Sequence, residues 1–312
     1  MSQEKEEHNY FELLPNELIL NIGNQLPNME SRNAFTLTCQ RFYHGYQPER
    51  LFPVLLKNVT ESNLGKVKLI LEQYPTLLLR YGTIADPTGR VFKRITAFQY
   101  ALWAMDLKDM CRLILDSIPK DKTGNELRYS LLCQLQEIEE QGIAYEKAGI
   151  KYNEHSFNWL PLKEMLSVYI RSWPDWNVDE IKKYWCETIG KEQKDFPISI
   201  RHFYCGHREV VLDRLIIKRT LLLHDYTNKS EIKWDKDLDG LGVRFAIRQS
   251  RKRGAWVTAD LATAKNDLLR INLFDECNKK ELERIKKELQ ETMMAHTQSD
   301  DSSPAPSYAM RP

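Results

Sequence analysis

Histidine, cysteine and carboxylate side chains crowd into two short stretches of this 312-residue chain. His202, Cys205 and His207 lie within six positions, and zinc accepts both residue types. A zinc site needs a fourth ligand, yet no Cys-x-x-Cys or His-x-x-x-His pair occurs elsewhere. Cys186 or His224 would serve only if the fold brought one of them close, so the plainer reading is a buried cysteine flanked by surface histidines. Asp235-Lys236-Asp237-Leu238-Asp239-Gly240 places three carboxylates at alternate positions before a glycine turn, the first half of a calcium-binding loop. The twelfth position is Ala246, where a bidentate Glu is required, and Gly242 replaces the usual apolar residue at the eighth. An acidic turn between helices is the expectation there.

Other chemistry is thinly represented. Arg248, Arg251, Lys252 and Arg253 form the one basic cluster, suited to phosphate head groups, nucleic acid or an import receptor. The ordinary reading is a solvated helix end, where positive charge complements the helix dipole and Gly254 is the C-cap. Cys39, Cys111, Cys133, Cys186, Cys205 and Cys277 are scattered, and none sits in a glycine-rich or strand-to-helix elbow. They read as free thiols of a reducing compartment, which leaves the sequons at Asn58 and Asn228 with little meaning. No phosphate-cradling loop, dinucleotide fingerprint or kinase motif set is present. No catalytic residue, metal or cofactor is therefore expected.

The elements that carry these residues read as helices almost throughout, an all-α fold. Net charge is +1, so nothing global calls for nucleic acid. No run of about eighteen apolar residues predicts a membrane span, and the polar, acidic start is unlike a signal peptide. Leu127, Leu131, Leu135 and Ile138 stripe a helix over 124–145. Further helices are predicted over 160–169, 178–189 (stopped by Gly190), 259–273 and 279–292. Ile198–Ile200 and Trp256–Thr258 are the only faint strand candidates.

The richest pattern lies near the N-terminus. Pro15 suits a first helical turn, Glu17 favours the positive end of the helix dipole, and Leu14, Leu18, Ile22 and Leu26 recur every four residues. Ile19 widens the apolar stripe. A short helix this apolar is normally buried, and about forty residues cannot wrap it alone. Its surface should therefore meet the following domain or another chain. Leu14-Pro15-Asn16-Glu17-Leu18, then Ile22 and Leu26, then Cys39-Gln40-Arg41-Phe42-Tyr43 resembles an F-box. The resemblance implies docking of Leu14, Pro15, Glu17, Leu18, Ile22 and Leu26 onto a Skp-type adaptor of a cullin–RING ubiquitin ligase. Gly23 departs from the family's usual bulky apolar residue, a change expected to weaken that docking.

A second resemblance follows. Residues 62–71 and 106–115, 44 apart, are similar to the second helix of an ankyrin repeat, and Thr96-Ala97-Phe98-Gln99-Tyr100-Ala101 to its opening. The intervening loop, with Asp86-Pro87-Thr88-Gly89, would then be a partner-touching finger. Trp185–Gln193 and the aromatic stretch after it resemble a segment of effectors from intracellular bacteria, Legionella-type. The organisation expected is 9–52 F-box, 53–122 ankyrin-like repeats, 123–294 a C-terminal helical region and 295–312 a disordered tail. The function implied is a non-catalytic substrate receptor, secreted and acting on an unknown target in host cytoplasm. Two alternatives stay open. One is an enzyme in the tryptophan-rich C-terminal region localised by the F-box, and the other is an ankyrin-type scaffold with no ligase link.

Overall fold

The computed structural model describes residues 14–38, 40–211, 214–226, 228–235, 238–249 and 253–300. The chain divides into two units at Leu55/Leu56.

The first unit is helical: α1 (Asn16–Gln25), α2 (Met29–Thr36) and the start of α3 (Gln40–Thr60). Pro15 stands just ahead of α1 with φ −54°, and its carbonyl accepts from the Leu18 and Ile19 amides. Arg32 closes the other end by donating to the carbonyls of Leu26 and Asn24. Asn28 starts α2 by accepting from the Ser31 amide. Ile19, Phe42 and Tyr46 are buried, and Phe35 stacks on Phe42. Gly23 is the close-approach point. A Cβ there would stand 2.6 Å from the Tyr46 ring. Gly23 therefore answers a packing requirement inside this unit. Gly23→Ala should gain about 1 kcal/mol of helix propensity yet lose more to overpacking, about 1–3 kcal/mol. A lower urea midpoint would show it; a raised one would refute the contact.

The second unit overturns the all-α expectation. Its described residues include ten strands. β1 (Gly82–Ala85), β2 (Val91–Ile95), β3 (Ile143–Lys147) and β4 (Ile150–Glu154) form an antiparallel meander in that order. β5 (His207–Val211) and β6 (Arg214–Lys218) make a hairpin. β7 (Leu222–Asp225), β8 (Ser230–Lys233), β9 (Ala246–Arg248) and β10 (Gly254–Trp256) form a second sheet, ordered β8-β7-β10-β9, with β7 and β10 parallel. Ile198–Ile200, a strand candidate in the sequence, lies in a helix.

The ankyrin-like region is corrected in the same way. After α3 come α4 (Leu64–Gln73), then α5 (Ala97–Trp103), a π-helical turn (Leu107–Cys111) and α6 (Arg112–Asp116). Asn63 caps α4, Thr96 and Gln99 form a reciprocal capping box on α5, and Asp106 caps the π turn. Between these helices β1 and β2 are not a free finger. β2 pairs with β3, so the hairpin is half of a sheet closed by residues far along the chain. The side chains that flank its turn are buried: Asp86 and Arg90 are both about 5% exposed, while Gly89 at the tip is exposed. The Arg90 guanidinium lies 5.3–5.6 Å from the ring centres of Trp103, Tyr145 and Phe157.

Further along, α7 (Lys122–Gln141) buries the predicted stripe but stops at Gly142, and residues 143–145 enter β3 instead of extending the helix. Ala148 and Gly149 make the β3–β4 turn, both with positive φ, as a two-residue hairpin loop with matching twist requires. α8 (Leu160–Ser172) and α9 (Val178–Lys183) follow. Gly190 does not stop the next helix. A π-helical turn, Tyr184–Ile189, leads through it into α10 (Gly190–Gln193), and α11 (Ile198–Cys205) follows. The two helices expected near the end are one, α12 (Leu261–Asp300), so helix enters the segment expected to be disordered from 295. Residues 301–312 of that tail lie outside the described residues.

Trp159, Trp185 and Trp234 are core side chains packed among Phe157, Phe196, Tyr169 and Tyr204, and Trp159 also lines a cavity with Phe157.

Candidate functional site

The turn after Pro15 sets the angular register of α1, and the Tyr46 contact fixes which side faces in. Ile19 is fully buried and Gly23 sits against Tyr46. The side chains one position earlier stand about 100° round the helix: Leu18 is 46% exposed and Ile22 39%. Pro15 and Glu17 are exposed, while Leu14 and Leu26 are half-buried. The stripe read from the sequence thus splits. Its middle members, Leu18 and Ile22, form an outward apolar row one turn apart, with the exposed Pro15 ring ahead of them. A helix cannot turn every apolar residue of a stripe this broad toward one small core, and the pair left outside is the part available to another surface. Phe42, from the second half of the motif, goes into the core, and Tyr43 stays 37% exposed. Leu37 is 77% exposed, the most exposed large apolar side chain of this unit among the described residues. Nothing in the residue pattern marks it, because a single leucine at a helix end looks like any core leucine.

The basic cluster does not present a common face. Arg248 is buried in β9 with its guanidinium 3.6 Å from the Trp256 ring centre, and desolvation lowers its pKa. Arg253 donates to the Gly206 carbonyl. Arg251 and Lys252 lie outside the described residues. Gly254 is a strand residue and not a helix cap. A Cβ there would stand 1.9 Å from the His224 carbonyl oxygen, so only glycine lets the two strands meet.

The described members of the zinc and calcium candidates have other surroundings. Cys205 is buried on α11 and burial pushes its thiol well up, the reverse of an activated nucleophile. His207 belongs to β5. Asp235 pairs with Lys233 at 2.6 Å and Asp239 with Arg244 at 3.0 Å, while Lys236 and Asp237 lie outside the described residues. Among the described residues no group of three His, Cys, Asp or Glu side chains is placed to hold a metal. No helix among them is long and apolar enough to cross a membrane.

His202 has a use of a different kind. Burial and the Arg219 charge push its pKa down to about 4, and its Nδ1 lies 3.1 Å from the Thr220 carbonyl oxygen, to which it donates. An unfolded histidine titrates near 6.5. Between these values the unfolded chain binds a proton that the folded chain refuses. Stability is therefore full above about pH 6.5 and falls on acidification, by roughly 2–3 kcal/mol at pH 4.5. Urea midpoints at pH 7 and 4.5 measure the slope, and His202→Gln should flatten it. An equal slope in that variant would contradict the assignment.

Comparison with known proteins adds a relative and a domain. Residues 161–289 match the CBUA0006 C-terminal domain. The chain is 27% identical over 288 residues to the uncharacterized protein CBUA0006 of Coxiella burnetii (strain RSA 493 / Nine Mile phase I). That similarity spans 84% of this chain and 81% of the relative. No solved structure matches the chain.

Proposed function

We propose that this chain is a non-catalytic substrate receptor that docks on a Skp-type adaptor through α1, linking a target protein to a cullin–RING ubiquitin ligase. The observation that carries the reading is the outward row of Leu18 and Ile22 behind Pro15, in a helix whose adjoining face, with Ile19 and Gly23, is already packed. The motif order around it, from Leu14 to Tyr43, supports the same assignment. Gly23 faces the unit's own core, so the departure from the F-box pattern does not touch the outward row. The unit from Leu56 onward then holds the target. Its effect on ubiquitin transfer is one of proximity, raising the target's effective concentration beside a charged conjugating enzyme. A secreted effector acting in host cytoplasm is part of the same proposal, and likeness to a protein of an intracellular bacterium fits a source of that kind.

The test is direct. Purified full-length chain is titrated with purified Skp-type adaptor, and complex formation is followed by calorimetry and gel filtration. One-to-one binding is expected. A chain with an intact circular dichroism spectrum that does not bind sinks the reading.

A further inference from the structure

We propose that the second unit binds an uncharged, largely apolar small molecule whose carbonyl or amide oxygen accepts a hydrogen bond from Asn278. The site is a cavity of about 450 Å³ beside α12, within the size range of small-molecule pockets. Leu102 of α5, Leu135 and Ile138 of α7, and Leu282 of α12 give it apolar walls, closed by Met105 and Leu107 from the turn after α5. Asn278 breaks this lining. It is 3% exposed, and its Nδ2 is buried without an acceptor. A buried amide N–H with no partner is costly, because it has lost its water and gained nothing in return. Nδ2 itself has no surface open to the cavity, so a rotation of the Asn278 side chain that brings it to the wall lets a ligand's acceptor oxygen remove that cost.

The rim argues for a neutral ligand. Asp275 is held by Lys163 at 2.8 Å and by the largely exposed Lys279 at 3.4 Å. Glu139 is held by Lys286 at 2.7 Å. Both rim carboxylates are thus already matched, and the one ammonium in excess, that of Lys279, is largely exposed, where water and salt screen it. His155 donates through Nδ1 to the Ile138 carbonyl oxygen at 2.7 Å, which leaves Nε2 as its other hydrogen-bonding atom at the mouth. An adjoining cavity of about 480 Å³ shares His155, Ser156, Asp275 and Lys279, and its more polar lining gives the ligand's far end a path to water. This site lies wholly within the unit from Leu56 onward and is independent of the adaptor reading.

Three probes of equal chain length separate the possibilities: hexanamide, hexanoate and hexylammonium, titrated into the full chain and followed by amide chemical shifts. Saturable hexanamide binding is expected, roughly tenfold tighter than either ion. Asn278→Leu should weaken hexanamide at least about tenfold while raising the thermal midpoint of the unliganded chain, since it removes an orphaned amide. Leu282→Trp, at a half-buried position, should fill the cavity and abolish binding, and it carries the test if the first variant fails to fold. Absence of saturable hexanamide binding, equal binding of either ion, or binding undiminished in the variants overturns the proposal.

Discussion

Replacing Leu18 and Ile22 together by aspartate should cost on the order of 100-fold or more in adaptor affinity and leave the fold in place. Both effects follow from where these side chains stand. Each is roughly two-fifths exposed in the free chain, so docking removes further apolar surface from water. Complete burial of such a side chain is worth about 1.5–3 kcal/mol, and the part still exposed on two of them supplies about 1–2.5 kcal/mol. Aspartate forfeits that gain and adds an unpaired carboxylate to an apolar groove, at a further cost of kcal/mol size. In the free chain the same carboxylates face water, so the thermal midpoint should move by only a few degrees. A control separates docking from folding: Ile19→Asp buries a charge in the core of the first unit and should unfold it. If the Leu18/Ile22 double variant binds as the parent does, the outward row is not the docking surface. If it fails to fold, the row is core, and the assignment of faces on α1 is wrong.

Arg90→Ala should destabilise the second unit by about 3–5 kcal/mol, lowering its thermal midpoint by about 10 °C or more. Arg90 lies among Trp103, Tyr145 and Phe157 and pairs with the Asp86 carboxylate at 3.7 Å. It also donates to the Asp195 carbonyl at 2.7 Å, which ties the β1–β2 turn to the segment after α10. Removing the guanidinium leaves a buried carboxylate without its counter-charge and a void among three rings. The turn itself should persist locally, because Asp86 still accepts from the amides of Thr88 and Arg90 and from the Thr88 hydroxyl. Asp86→Asn combined with Arg90→Met should cost less than Arg90→Ala, because no lone charge remains. Urea unfolding of the single and double variants measures the coupling. A loss within about 0.5 kcal/mol, normal for exposed loops, would restore the partner-touching finger expected from the sequence.

The contrast between these two sites shows what a linear reading can and cannot reach. Helices α1, α7 and α8 were legible because a helix is stabilised within itself, by bonds four residues apart and by end signals such as Pro15. The identity of the apolar residues on α1 was equally visible. Their division into a packed and an outward set was not, since it depends on Tyr46, more than twenty residues away, pressing on Gly23. Most strands were missed for a related reason. β2 meets β3 across about fifty residues and β10 meets β7 across about thirty, and a strand's partners supply its hydrogen bonds. The one local signal, alternating Ile143/Tyr145 and Ile150/Tyr152 around Ala148-Gly149, was masked by the helical stripe of α7 running up to it.

Charge was misread most. Arg248 and Arg253 looked like a solvated cluster, and Asp86 like the tip of a loop. Folding buried Arg248 beside a ring and Asp86 beside a counter-ion, and set the half-buried Arg253 against a carbonyl. Sequence by itself determined the helix-rich character and the apolar pattern of α1 with the residues that make it. Tertiary structure alone decided the sheets, the burial of the charges and which side of α1 remains outside, because each of these is a property of contacts between segments and not of any segment.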